Sequence, residues 1–142
     1  MIESALVYPI KMAVALTLPT YNMCYGLIKK RWFAKLQAKT LNVPDELFEA
    51  YYEDSLGMTK ESLIAITESN GDYSMPKVLC NTKAKTLILV GEKELTVMKK
   101  SAVLLHDTIK DSSLKVIEKG GHGEISLIYP EKYLNMLQQL LQ

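Results

Sequence analysis

Two short segments carry the residue types that could do chemistry. The first is Gly120-Gly121-His122-Gly123, a histidine set among glycines. Histidine titrates near neutrality and serves as a general base or acid. Glycines on both sides let the backbone turn sharply and let another group come close. Alone, the segment also reads as a loop histidine that hydrogen-bonds only the backbone. The second is Gly91-Glu92-Lys93-Glu94. A carboxylate in that turn could hold an imidazole in one tautomer and stabilise its charged form. Glu94 is the candidate and Glu92 the fallback. By composition alone, both also read as solvated turn residues beside Lys93, Lys99 and Lys100.

The elements around these segments decide whether they can meet. Thr86 to Val90 is a continuous β-rich run, the pattern of a strand buried on both faces, and Gly91 ends it. Thr96 to Ile109 reads as a helix with Val97, Ala102, Leu105 and Ile109 on one side. Ser113 to Glu118 reads as a second strand. Pro130 to Leu141 reads as a closing helix with Tyr133, Leu134, Leu137, Leu140 and Leu141 inward. Strand, helix, strand, helix implies parallel pairing with a right-handed crossover. Both candidate turns then lie beyond the carboxyl ends of parallel strands, where active sites of open α/β sheets are found.

The first half of the chain reads differently. Ile2 to Val7 is a short apolar run stopped by Tyr8-Pro9 and is expected to be a buried strand. A helical pattern follows over Ile10 to Leu18, is expected to break at Pro19, and resumes from Tyr21 to Leu41. Leu27, Ile28, Arg31, Trp32, Lys35 and Leu36 recur at helical spacing, and Lys29-Lys30-Arg31 reads as a solvated face. Pro44-Asp45-Glu46 marks a helix start, with Leu47, Phe48, Tyr51 and Tyr52 as its apolar face. Thr59 caps a further helix carrying Leu63, Ile64 and Ile66, which Asn70-Gly71-Asp72 ends. Met12, Tyr21, Met23, Tyr25, Tyr51 and Tyr52 either line an apolar pocket or form ordinary core.

Taken together, these segments resemble a known family. Leu87-Ile88-Leu89-Val90-Gly91-Glu92-Lys93-Glu94, a helix, Leu114-Lys115-Val116-Ile117, then Gly120-Gly121-His122 and a helix after Pro130 resemble the C-terminal segment of α/β-hydrolases, the family of esterases, lipases and related enzymes. Ile2 to Pro9 resembles the family strand that leads into the cap, and the helices from Ile10 to about Tyr73 resemble that cap, a lid over the substrate pocket. The resemblance implies an α/β fold class: a short parallel sheet with flanking helices plus an all-helical cap. Residues 1–9 would be the first strand, 10–76 the cap and 77–142 the strand–helix–strand–helix segment. It implies His122 as triad base and Glu94 as triad acid, with glutamate where aspartate is commoner. The implied activity is hydrolysis of an ester or similar acyl bond through an acyl-enzyme, on a small apolar ester, with no cofactor and no metal. His106, the other histidine, stands beside Asp107 and makes no metal signature.

The family's nucleophile sits in a G-x-S-x-G elbow that precedes acid and histidine in chain order. None of the seven glycines opens such a pattern. Ser4, Ser55, Ser101 and Ser126 are poor substitutes, and Ser126 follows His122 on the wrong side for the family geometry. A histidine base without a nucleophile has nothing to activate. The expectation is therefore a chain corresponding to about the second half of a family member, inactive alone and completed by an N-terminal hydrolase half. The alternative is a non-catalytic binding or assembly protein derived from a truncated hydrolase.

The remaining expectations concern partners and place. Seventeen basic and sixteen acidic residues leave a net charge of +1, too little for the one-signed field that nucleic-acid binding wants. The apolar stretch up to Ile28 is interrupted by Pro9, Lys11, Pro19 and Asn22, which argues against a membrane span. Cys24 and Cys80 suggest no disulfide framework, so a reducing cytoplasm is expected. The strand Ile2–Val7 would present an apolar edge, and a homo-oligomer joined through that N-terminal strand is expected.

Overall fold

A computed structural model describes residues 1–41 and 43–141. Residue 42, inside the expected cap, and residue 142, the end of the expected last segment, lie outside the described residues. The chain divides into two compact units, Met1–Pro9 with Tyr73–Gln142, and Ile10–Asp72. In chain order the elements are β1 (Ile2–Glu3), α1 (Lys11–Ile28), α2 (Arg31–Thr40), α3 (Phe48–Gly57), α4 (Lys60–Asp72), β2 (Thr86–Gly91), α5 (Thr96–Thr108), β3 (Ser112–Ile117), α6 (Glu124–Ile128) and α7 (Pro130–Leu141). Short 3-10 turns cover Asp45–Leu47 and Lys77–Asn81.

The first unit is an α/β layer. Its three strands are parallel, in the order β1-β2-β3. Ile88 is registered against both Ile2 and Leu114, so β2 has a neighbour on each side. Alternation then sends successive β2 side chains to opposite faces. Ile88 and Val90 pack on one face with Val7, Met98, Ala102, Leu105 and Ile109. Leu89 packs on the other with Ile125 and Met136. Ile88 and Leu89 are each 1% exposed, and full burial of such a side chain contributes about 1.5–3 kcal/mol. Helix α5 supplies Met98, Ala102 and Leu105 at helical spacing, covering one face, while α6 and α7 cover the other. Ser101 ties the chain after β1 to α5: its hydroxyl donates to the Val97 carbonyl at 2.8 Å and accepts the Val7 N–H at 3.1 Å.

Two sequence expectations change here, and one element is added. The strand expected over Ile2–Val7 is in the ladder only at Ile2 and Glu3. Ser4 turns out of extended backbone at φ 54, although its N–H still donates to the Leu89 carbonyl at 3.0 Å. The closing helix buries Met136, while Leu134 and Leu141 are 54% and 79% exposed. Its inward face is Tyr133, Met136, Leu137 and Leu140, the i, i+3, i+4, i+7 set of one helix stripe. The short helix α6, unmarked in the sequence, fills the span between the His122 turn and α7.

The second unit is all helical among its described residues. Helix α1 runs through Pro19 without a break, against the expectation that it stops there. Contacts on both sides of Pro19 hold it antiparallel to α4: the Ile10 N–H donates to the Gly71 carbonyl at 2.6 Å, the Tyr21 hydroxyl lies 3.1 Å from Thr67 Oγ1, and Lys60 donates to Asn22 at 3.0 Å. The chain breaks instead after Ile28, where Lys30 is extended at ψ 123. No helix of the described residues is long and apolar enough to cross a membrane.

Candidate active site

The site is built where β2 and β3 end. The turns that follow them are stitched together by backbone bonds. The Glu92 N–H donates to the Ile117 carbonyl at 2.9 Å and the Lys93 N–H to the Gly120 carbonyl at 2.9 Å. This approach requires glycine at 91. A Cβ there would lie 2.5 Å from the Gly120 oxygen and 2.6 Å from the Gly121 oxygen. The turn then folds back so that Glu94 Oε1 accepts the Gly91 N–H at 2.9 Å.

Glu94 Oε2 stands 3.1 Å from His122 Nδ1. The Glu94 side chain is 1% exposed, whereas the His122 side chain is 66% exposed. A carboxylate only accepts hydrogen bonds, so the proton on this contact belongs to Nδ1, and in the neutral ring that leaves a lone pair on Nε2. That is the tautomer a general base needs. Glu92, the fallback acid, goes elsewhere: its Oε2 accepts the Lys119 N–H at 2.7 Å and pins the turn after β3. The structure thus brings Glu94 to His122 and leaves Glu92 out.

Three residues of the site escaped the sequence reading. Ser4 donates its hydroxyl to Glu94 Oε1 at 2.7 Å and accepts the Gly123 N–H at 3.0 Å. Glu3 accepts the N–H groups of Ile125 at 2.9 Å and Ser126 at 3.1 Å, satisfying the open amino end of α6. Glu124 accepts the Gly121 N–H at 2.6 Å. The available signal was parallel pairing itself: β1 lies beside β2, so the residue after β1 emerges at the same sheet end as Glu94. Two residues of this network sit in left-handed backbone, Ser4 at φ 54 and Gly123 at φ 63. For serine that conformation costs about 1–2 kcal/mol.

The other candidates fall into structural roles. Ser126 donates to the Gly123 carbonyl at 3.2 Å within its own helix turn. His106 Nδ1 lies 2.9 Å from Ser112 Oγ at the start of β3, the opposite end of that strand from the His122 turn. Among the described residues, no buried side-chain nitrogen or oxygen lacks a partner, and no group of three metal-ligating side chains stands together.

Charge and aromatic contacts in the helical unit organise α2 and α3. Lys29, expected to be solvated, donates to the Ser55, Leu56 and Met58 carbonyls at 2.8, 2.7 and 2.6 Å. A cation there suits the negative end of α3. Arg31 pairs with Glu49 through both terminal guanidinium nitrogens, Nη1 and Nη2, and lies over the Phe48 and Tyr52 rings. Hydrogen bonding to Glu49 raises the Arg31 pKa, and the same contact holds Glu49 below the usual carboxylate range. A cleft of about 730 Å³ lies beside this pair, with Lys35, Ala38 and Phe48 in its wall. Of the residues expected to line a pocket or form core, Met12 and Met23 are 74% and 84% exposed. Tyr25 and Tyr52 donate their hydroxyls to the Met58 and Lys29 carbonyls at 2.8 and 3.1 Å.

The structure matches an esterase (EaEST) from Exiguobacterium antarcticum with a TM-score of 0.68 and 18% identity, over 98% of this chain and 54% of that one. It matches a bromoperoxidase from Bacillus anthracis with a TM-score of 0.64 and 19% identity, over 93% and 48%. The chain has part of the α/β-hydrolase fold. A third α/β-hydrolase structure, MenH from S. aureus, matches with a TM-score of 0.56 and 20% identity, over 90% and 53%. The chain spans about half the length of these α/β-hydrolases. No family model and no curated protein matches the sequence.

Proposed function

We propose that this chain supplies the acid and the base of an α/β-hydrolase triad, Glu94 and His122, for hydrolysis of an ester or related acyl bond. The observation that carries the reading is the 3.1 Å contact between Glu94 and His122 Nδ1 from two adjacent strand ends. In this mechanism a serine hydroxyl from outside the present sequence attacks the acyl carbon. His122 Nε2 takes the hydroxyl proton and later returns it to the leaving alcohol. Glu94 keeps the imidazole oriented and stabilises its cationic form while the acyl-enzyme forms and is hydrolysed. Without that serine the chain hydrolyses nothing. The outer side of β1, an edge of the three-strand sheet, is where we place an added strand, from an N-terminal hydrolase half or from a second copy. The unpaired Cys24 and Cys80 favour a reducing, cytoplasmic setting.

The test is complementation. The chain is joined to the nucleophile-bearing half of a related α/β-hydrolase and assayed on activated esters. Turnover that appears in the joined protein and is lost with His122→Ala supports the reading. Turnover by the chain alone that depends on His122 overturns the external nucleophile. A folded joined protein whose turnover ignores His122→Ala overturns the role of His122.

A further inference from the structure

We infer that Ser4 is a positioning residue that locks the Glu94 carboxylate to the His122 loop; the inference rests on the acid–base reading proposed above. The site draws one residue from the end of each strand: Ser4 after β1, Glu94 after β2 and His122 after β3. The two oxygens of Glu94 divide their work. Oε1 accepts from the Ser4 hydroxyl at 2.7 Å and from the Gly91 N–H at 2.9 Å. Oε2 is thereby left to His122 at 3.1 Å. Donors on Oε1 from two directions fix the rotation of the carboxylate, and that rotation sets where Oε2 points.

The same hydroxyl fixes the other partner. Ser4 Oγ accepts the Gly123 N–H at 3.0 Å, on the residue directly after His122. One oxygen atom therefore holds the acid by donating and the base loop by accepting. Glu3, one residue earlier, accepts the N–H groups of Ile125 and Ser126 and anchors the far side of that loop. The left-handed backbone at Ser4 is unusual for a residue other than glycine, and such conformations persist where surrounding contacts over-determine them. A serine that only filled space would need neither the conformation nor both partners.

The test reads the imidazole directly in the full chain. Only His106 and His122 are present, so 15N-histidine labelling gives two ring systems, with His106 as internal control. In the wild type, His122 is expected as a single Nδ1–H tautomer. Ser4→Ala and Ser4→Gly both delete the hydroxyl, but Ser4→Gly also relieves the backbone and keeps the fold. Both are expected to convert His122 to a tautomer mixture, with Gly123 amide exchange accelerated about tenfold and His106 unchanged. Ser4→Thr, which keeps the hydroxyl, is expected to retain the Nδ1–H signal. A structural role would make the His122 signal follow stability rather than the hydroxyl. Nδ1–H retention in both Ser4→Ala and Ser4→Gly overturns the positioning role and leaves the Glu94–His122 pair standing. A wild-type chain without the Nδ1–H signal overturns the pair and the inference together.

Discussion

Glu94 and His122 are 28 residues apart in sequence, yet their side chains meet at 3.1 Å because β2 and β3 run parallel and end side by side. The buried carboxylate faces an exposed ring, so the carboxylate is held in place while the imidazole stays open to solvent. Glu94→Gln keeps the shape and replaces one acceptor by an NH2 group. In the joined hydrolase, kcat is expected to fall about 10⁴-fold, because the wrong tautomer of His122 is then favoured. A fall of less than about tenfold would remove Glu94 from the acid role.

Gly91 is the point where the two sheet-end turns touch. An added methyl would press on the backbone oxygens of Gly120 and Gly121, at 2.5 and 2.6 Å. Backbone cannot swing away as a long side chain can. Gly91→Ala is therefore expected to destabilise the α/β unit by about 1–3 kcal/mol, read as a lower urea midpoint. It should also broaden the His122 resonances. An unchanged midpoint would show that the turns part without cost.

Ser101 is completely buried and joins Val7 to α5. Ser101→Ala removes little volume but strips the Val7 N–H of its acceptor. The expected loss is about 1–3 kcal/mol, the cost of an unsatisfied buried donor. Urea unfolding followed by circular dichroism measures it, and a loss under about 0.5 kcal/mol would mean that the Val7 N–H finds another acceptor.

Hydrogen bonding to Arg31 holds Glu49 below the ordinary carboxylate range. The sign follows from linkage: a carboxyl whose pKa is lower folded than unfolded stabilises the fold above the unfolded value, roughly 4.3. That contribution fades as pH falls through the folded value. The shift of Arg31 is upward, so its contribution is lost only at alkaline pH beyond the usual working range. Wild type and Glu49→Gln should therefore differ in stability at neutral pH and converge in acid. Salt should shrink the neutral difference, since the pair is exposed. A gap that widens below pH ~4 would contradict the assignment.

The α/β unit was legible where burial and period coincide. Thr86 to Val90 and the apolar stripe of α5 carry their own signal, and parallel pairing then placed both candidate turns at one sheet end. Glu94 stands ahead of Glu92 by resemblance, but composition alone does not separate them, because the choice depends on which carboxylate the turn folds back toward Gly91. Ser4 was illegible for a different reason. Its partners are 90 and 119 residues away, and nothing marks a serine for left-handed backbone. The phase of α7 is not legible in the sequence because Leu134, Met136 and Leu141 are all apolar, and apolar character alone does not choose the buried stripe.

Pro19 shows local propensity overruled by packing, and it offers the clearest gain in stability. Proline inside a helix lacks the N–H that would bond the carbonyl of residue 15, and its ring crowds that turn, a cost of about 3 kcal/mol. Helix α1 nevertheless continues through it to Ile28. What holds it lies on both flanks: the Ile10–Gly71 bond before Pro19, and the Tyr21–Thr67 and Asn22–Lys60 contacts after it. Thr17, two residues earlier, also bonds its hydroxyl back to the Ala13 carbonyl at 2.8 Å. Pro19 is exposed, so alanine there would remove no buried surface and would restore one helical hydrogen bond. Against this, alanine loosens the unfolded chain, at a cost of about 0.4–1 kcal/mol. The regained hydrogen bond and the relieved crowding outweigh that loss, and Pro19→Ala is expected to stabilise the helical unit by about 2 kcal/mol. A thermal melt followed by circular dichroism should shift upward by several degrees. A melt that moves downward would show that the proline sets a bend which the contacts with α4 require.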